Sequence, residues 1–157
     1  NNATNTQTYN GTAWSNQGGT LSTGRQYCNG CGLINAGLIV GGRHDYTATV
    51  EEWDGTSWSA GANVHTALWK SAVFGIQTAA VSASGSRTNP SGKLSETQEY
   101  NGTAWTSSGN VILARMTTGA GSQASGLMIA GETVASSNTG CAHVEEYDVA
   151  VAQFINV

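Results

Sequence analysis

Carboxylates are the reactive groups this sequence concentrates. Glu51, Glu52, Glu99, Glu145, Glu146, Asp54 and Asp148 make up seven of its ten acidic residues. Glycoside hydrolysis needs two opposed carboxylates at a defined separation. Here the acids instead recur in a fixed phase beside an aromatic residue, which predicts a structural role: pairing with Arg25 and Arg115, or capping turns. His44, His65 and His143 fall at different phases and form no cluster. His44 and Asp45, in a variable loop, are candidate ligand contacts, as is Trp69, an aromatic outside the repeat phase that could stack on a carbohydrate. No serine nucleophile elbow, phosphate loop or metal-binding helix motif occurs, so no catalytic residue and no cofactor is assigned.

Cys28, Cys31 and Cys141 are an odd set, so internal disulfides cannot pair them all and the redox compartment stays open. With His143 they could be drawn as a four-ligand zinc site. Free thiols in strands are the simpler expectation, and no metal ligand is assigned.

A repeat positions these groups. Tyr9-Asn10-Gly11-Thr12-Ala13-Trp14 returns as Trp53-Asp54-Gly55-Thr56-Ser57-Trp58 and as Tyr100-Asn101-Gly102-Thr103-Ala104-Trp105, and begins again at Tyr147-Asp148. The leading aromatics lie 44, 47 and 47 residues apart, within the ~40–50 residues usual for a four-stranded propeller blade. Gln7-Thr8, Glu51-Glu52, Gln98-Glu99 and Glu145-Glu146 precede them. Arg25 and Arg115 hold one phase, with Leu68 at that place in the middle copy.

Each copy reads as four strands. In the first complete copy these are 26–33, the apolar run from Ala36 to Gly41-Gly42, 48–53, and a fourth opening at Trp58. Asn-Gly and Asp-Gly between strands three and four predict type I′ hairpins, with positive φ at both central residues. Trp14, Trp58 and Trp105 are expected to pack between blades. The links between strands two and three vary most and are expected to share one face, a common place for binding. The blade pieces are 1–24, 25–68, 69–114 and 115–157, about three and a half blades. Residues 149–157 read as an apolar tail in place of the turn. The expectation is a fragment of a longer array, or a ring completed by another chain.

Composition narrows the class. Gly numbers 21, charged residues are 10%, Pro occurs once, and five Trp and five Tyr argue against disorder. Net charge is −4 and the six Lys and Arg are scattered, so nucleic-acid binding is not expected. No apolar run approaches the ~20 residues of a membrane helix, and no secretory signal is evident. The chain starts at Asn1, as a mature product or a fragment would. Three Asn-x-Thr acceptor patterns occur, at Asn2, Asn10 and Asn101; the last two are the hairpin turns.

Gly41-Gly42, then Glu51-Glu52-Trp53-Asp54, then Trp58 resembles the kelch repeat, a resemblance that covers essentially the whole chain. Gly-Gly becomes Ser84-Gly85 and Ala130-Gly131 in later copies. The Thr/Ser/Gly-rich style is most similar to kelch-like repeats in virion proteins of bacterial viruses and in bacterial secreted proteins. Asp54-Gly55-Thr56-Ser57-Trp58 is also similar to the Asp-box turn of sialidases, with different spacing. The resemblance implies an all-β, kelch-like β-propeller segment of antiparallel blades. It further implies a non-enzymatic structural or binding module on a virion (tail fibre, appendage or decoration) or another extracellular surface. The expected partners are other protein subunits and cell-surface glycan, with neither nucleic acid nor membrane. A secreted carbohydrate-binding, lectin-like propeller is the alternative.

Overall fold

Short strands separated by Gly-rich turns give an all-β chain. The computed structural model describes residues 3–43, 47–87, 92–133, 140–148 and 153–156. Its four antiparallel sheets follow chain order, an arrangement compatible with a β-propeller-like fold. The first sheet pairs β1 (Asn5–Tyr9) with β2 (Trp14–Thr20). The second is the meander β3 (Asn29–Leu33), β4 (Ala36–Val40), β5 (Val50–Trp53) and β6 (Trp58–Ala60). The third runs β7 (Ala72–Ile76), β8 (Ala79–Ala83), β9 (Thr97–Tyr100) and β10 (Trp105–Ser108). The fourth runs β11 (Met116–Gly121), β12 (Ser125–Glu132), β13 (Gly140–Asp148) and β14 (Gln153–Asn156). Among the described residues no helix is long and apolar enough to cross a membrane.

Three local readings change. The tail expected over 149–157 contains β14, which pairs with β13 from Glu145↔Asn156 to Asp148↔Gln153 and completes the fourth sheet. Its backbone satisfies the N–H and C=O groups that β13 would otherwise leave bare. The first strand of the second sheet starts at Asn29 rather than residue 26, because Tyr27 sits at φ 55, outside extended backbone. The hairpins between third and fourth strands are not two-residue I′ turns. Tyr9↔Trp14, Trp53↔Trp58 and Tyr100↔Trp105 pair across four-residue loops. Only the glycine takes positive φ in these loops, at 95, 96 and 91°. Asn10, Asp54 and Asn101 act as acceptors: Asn10 Oδ1 takes the amides of Thr12 and Ala13, both at 2.9 Å, and the other two repeat the pattern.

The core lies between sheets, not within them. One cluster joins Leu38, Val40 and Val50 of the second sheet to Val73, Ala80, Tyr100 and Trp105 of the third. Another joins Ala72, Phe74, Val81 and Ala83 of the third to Met128 and Tyr147 of the fourth. Strand β7 touches both β3 and β11, so the first strands of successive sheets lie side by side. A Cβ on Gly126 would run into the Phe74 ring, which is why a small residue is needed there.

The Gly-Gly signature has a local cause. Gly41 and Gly42 take φ of 59 and 118°, and a Cβ on Gly41 would collide with the Leu68 carbonyl of the next sheet. Ser84 and Ala130 hold the same left-handed position at 60 and 50° despite their side chains. Ser84 Oγ is well used there: it donates to Arg115 O at 2.6 Å and accepts from Arg115 N at 2.8 Å.

Candidate functional site

The repeated acids are consumed by structure. Arg25 donates to Glu51 and Arg115 to Glu145, both pairs fully buried. Arg25 also donates to the carbonyls of Gly41 and Thr49, each at 3.1 Å. Arg115 donates to four backbone oxygens, among them Ala130 O at 2.8 Å and Leu113 O at 3.0 Å. The other carboxylate oxygen of each Glu accepts a backbone amide of the incoming loop, Ser22 N at 2.8 Å and Ile112 N at 2.7 Å. In the third sheet Leu68 replaces the arginine and Gln98 the glutamate; Gln98 Oε1 still accepts the loop amide, from His65 N at 2.8 Å. The amide acceptor is kept while both charges are removed together, as burial requires.

The acids next to the paired positions in the second and third sheets, Glu52 and Glu99, link neighbouring sheets. Tyr100 donates its hydroxyl to Glu52, and Tyr147 to Glu99. Burial, with the carboxylate acceptor alongside, pushes both phenols up to about 12. Two glutamines add a hook: Gln77 Nε2 donates to Gly37 O and Trp53 O, and Gln123 Nε2 to Ala80 O and Tyr100 O. The matching place before β4 holds Ile34, which cannot donate and is exposed. Trp58 Nε1 bonds Thr6 Oγ1 of the preceding sheet at 2.7 Å, and Trp105 Nε1 bonds Ala62 O at 2.9 Å.

At one end of the side-by-side first strands runs a backbone collar. Lys70 N donates to Tyr27 O at 2.8 Å, and Thr117 N to Lys70 O at 3.0 Å, at the same repeat position in successive sheets. Tyr27 and Lys70 hold left-handed φ of 55 and 51° to make these bonds. Beside the collar opens a groove of about 490 Å³, lined by Tyr27, Asn29, Lys70, Thr117, Ile129 and Glu132. Lys70 Nζ lies 4.8 Å from the Tyr27 ring centre and 5.2 Å from that of Trp69, and the Arg43 guanidinium lies 5.5 Å from Trp69. Trp69 is therefore no surface stacking platform. It is 5% exposed, with its ring beneath the Lys70 and Arg43 cations, and Tyr27 is the exposed ring at this edge. His44 and Asp45 lie outside the described residues, as do parts of the variable loops (44–46, 88–91 and 134–139).

Other candidates do not converge. Among the described residues no group of three or more His, Cys, Asp or Glu could hold a metal ion, so the Cys28, Cys31, Cys141 and His143 set is not assembled. All three cysteines are free thiols. Burial raises Cys28, and raises Cys31 to about 11, keeping both protonated and weakly nucleophilic. His65 is held by the third sheet, with Nε2 3.1 Å from Trp105 O.

No family model matches the chain, and no curated protein does. A solved fold does. The structure described as "Structure of YjhT" superposes with a TM-score of 0.74 over 92% of this chain, at 16% sequence identity. The match covers 48% of that chain, so this sequence spans about half the length of its structural neighbour. At this identity the likeness is one of fold.

Sequence reading missed Tyr27, Lys70, Gln77 and Gln123. The glutamines do carry a signal, since each falls two residues after a glycine, Gly75 or Gly121, that takes positive φ near the end of the first strand of its copy.

Proposed function

We propose that the chain is a non-enzymatic structural and binding module, a kelch-like β-propeller segment carried on a virion or another extracellular surface. One observation carries this reading: ionisable groups repeated in phase are spent on structure, Arg25–Glu51 and Arg115–Glu145 within a sheet and Tyr100–Glu52 and Tyr147–Glu99 between sheets. Chemistry of this kind builds a rigid scaffold that displays its edges and loops. The Gly/Thr/Ser-rich kelch-like motifs supply the virion context. Immunogold labelling of particles released by the source organism tests it. Label on particle surfaces is expected, and label confined to the soluble fraction would overturn the virion placement.

The groove beside the collar favours the lectin-like reading as a second one. An exposed phenol ring, a carboxamide and hydroxyls around an apolar floor are the groups that take a sugar. A panel of immobilised oligosaccharides, probed with the native chain and with Tyr27→Asn, separates the two. Binding lost in the variant supports a sugar site, and equal binding removes the groove from consideration.

A further inference from the structure

All six Lys and Arg lie at one end of the strands, where first strands begin and second strands finish. Arg25 and Arg115 are spent on buried glutamates, and Lys93 pairs with Glu132 at 3.9 Å. Arg43, Lys70 and Arg87 meet no carboxylate among the described residues. Outside the buried pairs, Glu96 and Glu132 are the described acids that share this end. Glu52, Asp54, Glu99, Glu146 and Asp148 lie at or near the opposite end, where third strands finish. A chain of net charge −4 is thus polarised along its strands, with every Lys and Arg at one end.

Two of the unpaired cations gather on one ring, the Arg43 guanidinium and Lys70 Nζ both lying close to Trp69. The second and third sheets, which flank this spot, each hold all four strands. Backbone bonds fix it in place: Arg43 N donates to Gln26 O at 2.6 Å, Lys70 N donates to Tyr27 O at 2.8 Å, and Trp69 bridges Ser86, the residue before Arg87. Trp69 Nε1 is buried and meets no acceptor among the described residues. Guanidinium, ammonium and indole N–H are all donors, and like charges held together repel until an anion joins them.

We propose that this cationic end binds an anionic polysaccharide, with one of its acidic groups seated on Arg43 and Lys70 at Trp69. This rests on the lectin-like reading and names the ligand class. A row of phosphates calls for a row of cations, whereas here two cations share one ring and Arg87 stands in a neighbouring loop. The adjoining groove supplies what the rest of a sugar needs: the Tyr27 ring, the Asn29 carboxamide and the Thr117 hydroxyl. Glu132, which also lines that groove, is held by Lys93. The acids at the opposite end would turn the cationic end towards an anionic surface.

Titration calorimetry of the native chain with alginate (a polyuronate), dextran sulfate and uncharged dextran tests this. Binding to either polyanion and not to dextran is expected, weakening as salt is raised; the ranking of the two polyanions assigns carboxylate or sulfate. Arg43→Gln and Lys70→Gln should each weaken binding by about tenfold or more, while Lys70→Arg retains it. Arg87→Gln removes the same charge away from the ring and should change binding little. Equal losses in all three glutamine variants would reduce the effect to a diffuse field and overturn the seat at Trp69, as would unchanged binding in Arg43→Gln and Lys70→Gln. A DNA duplex bound as tightly as the polysaccharides would overturn the ligand class. A native chain that binds uncharged oligosaccharides but neither polyanion sinks this inference alone, whereas one that binds no saccharide at all removes the lectin-like reading with it.

Discussion

The second and fourth sheets bury an arginine on a glutamate, whereas the third, between them, solves the same backbone problem without charge. Glu51 and Glu145 accept a loop amide and an arginine; Gln98 accepts the same amide beside Leu68. What every copy keeps is the acceptor for the amide. The ion pair is an optional addition, since a buried charge pair offsets its own desolvation only when complete. The third sheet is thus a natural double replacement within a single chain.

That comparison can be broken most directly at Arg115. Arg115→Leu alone leaves Glu145 buried and unpaired, and should cost about 3–5 kcal/mol in a urea unfolding measurement. Adding Glu145→Gln, to copy Leu68 and Gln98, should recover most of that loss. If the double variant is as unstable as the single one, the sheets are not interchangeable.

Alkaline pH should not distinguish the regions, because a tyrosine link joins the third sheet to the second and another joins the fourth to the third. The folded phenols titrate near 12, above the ordinary value of 10. The folded state therefore holds these protons more tightly, so the stability these two tyrosines contribute should be constant below pH 10 and fall as pH rises from 10 towards 12. Tyr147→Phe should flatten part of that fall, read from unfolding midpoints across the window.

The smallest effect is expected at the glutamine hooks. Gln123→Ile copies residue 34 and removes donors to Ala80 O and Tyr100 O, which should cost about 1 kcal/mol by urea midpoint. The change Ile34→Gln should gain less than Gln123→Ile loses, because the first sheet has only two strands and offers no second-strand carbonyl among the described residues.

The period, the strand count per copy and the aromatic pairs were legible because side-chain type alone fixes them. Trp105, Tyr100 and Tyr147 pack between sheets as their phase requires, whereas Trp14, expected to do the same, is 67% exposed. The joint departure of Leu68 and Gln98 was visible too, though its meaning needed the register that places Gln98 against His65 N. What stayed hidden depends on backbone conformation that residue type does not announce. Tyr27, Lys70, Ser84 and Ala130 take left-handed φ without being glycine, because bonds to neighbouring sheets hold them there. Trp69 looked displayed because it falls outside the aromatic phase, yet Lys70 and Arg43 cover it. The tail failed as a reading for another reason: no turn motif precedes β14, and only the open edge of β13 draws it into the sheet.

The collar through Tyr27, Lys70 and Thr117 has a geometric consequence. Each link is one backbone bond and spans one repeat. In any array that extends it, the line of bonds grows in equal steps with the number of repeats while each link stays the same. Duplicating or deleting a repeat would therefore lengthen or shorten this line of bonds in whole steps, leaving the chemistry along it to be set by whichever residue each copy places there, a phenol, an ammonium or a hydroxyl.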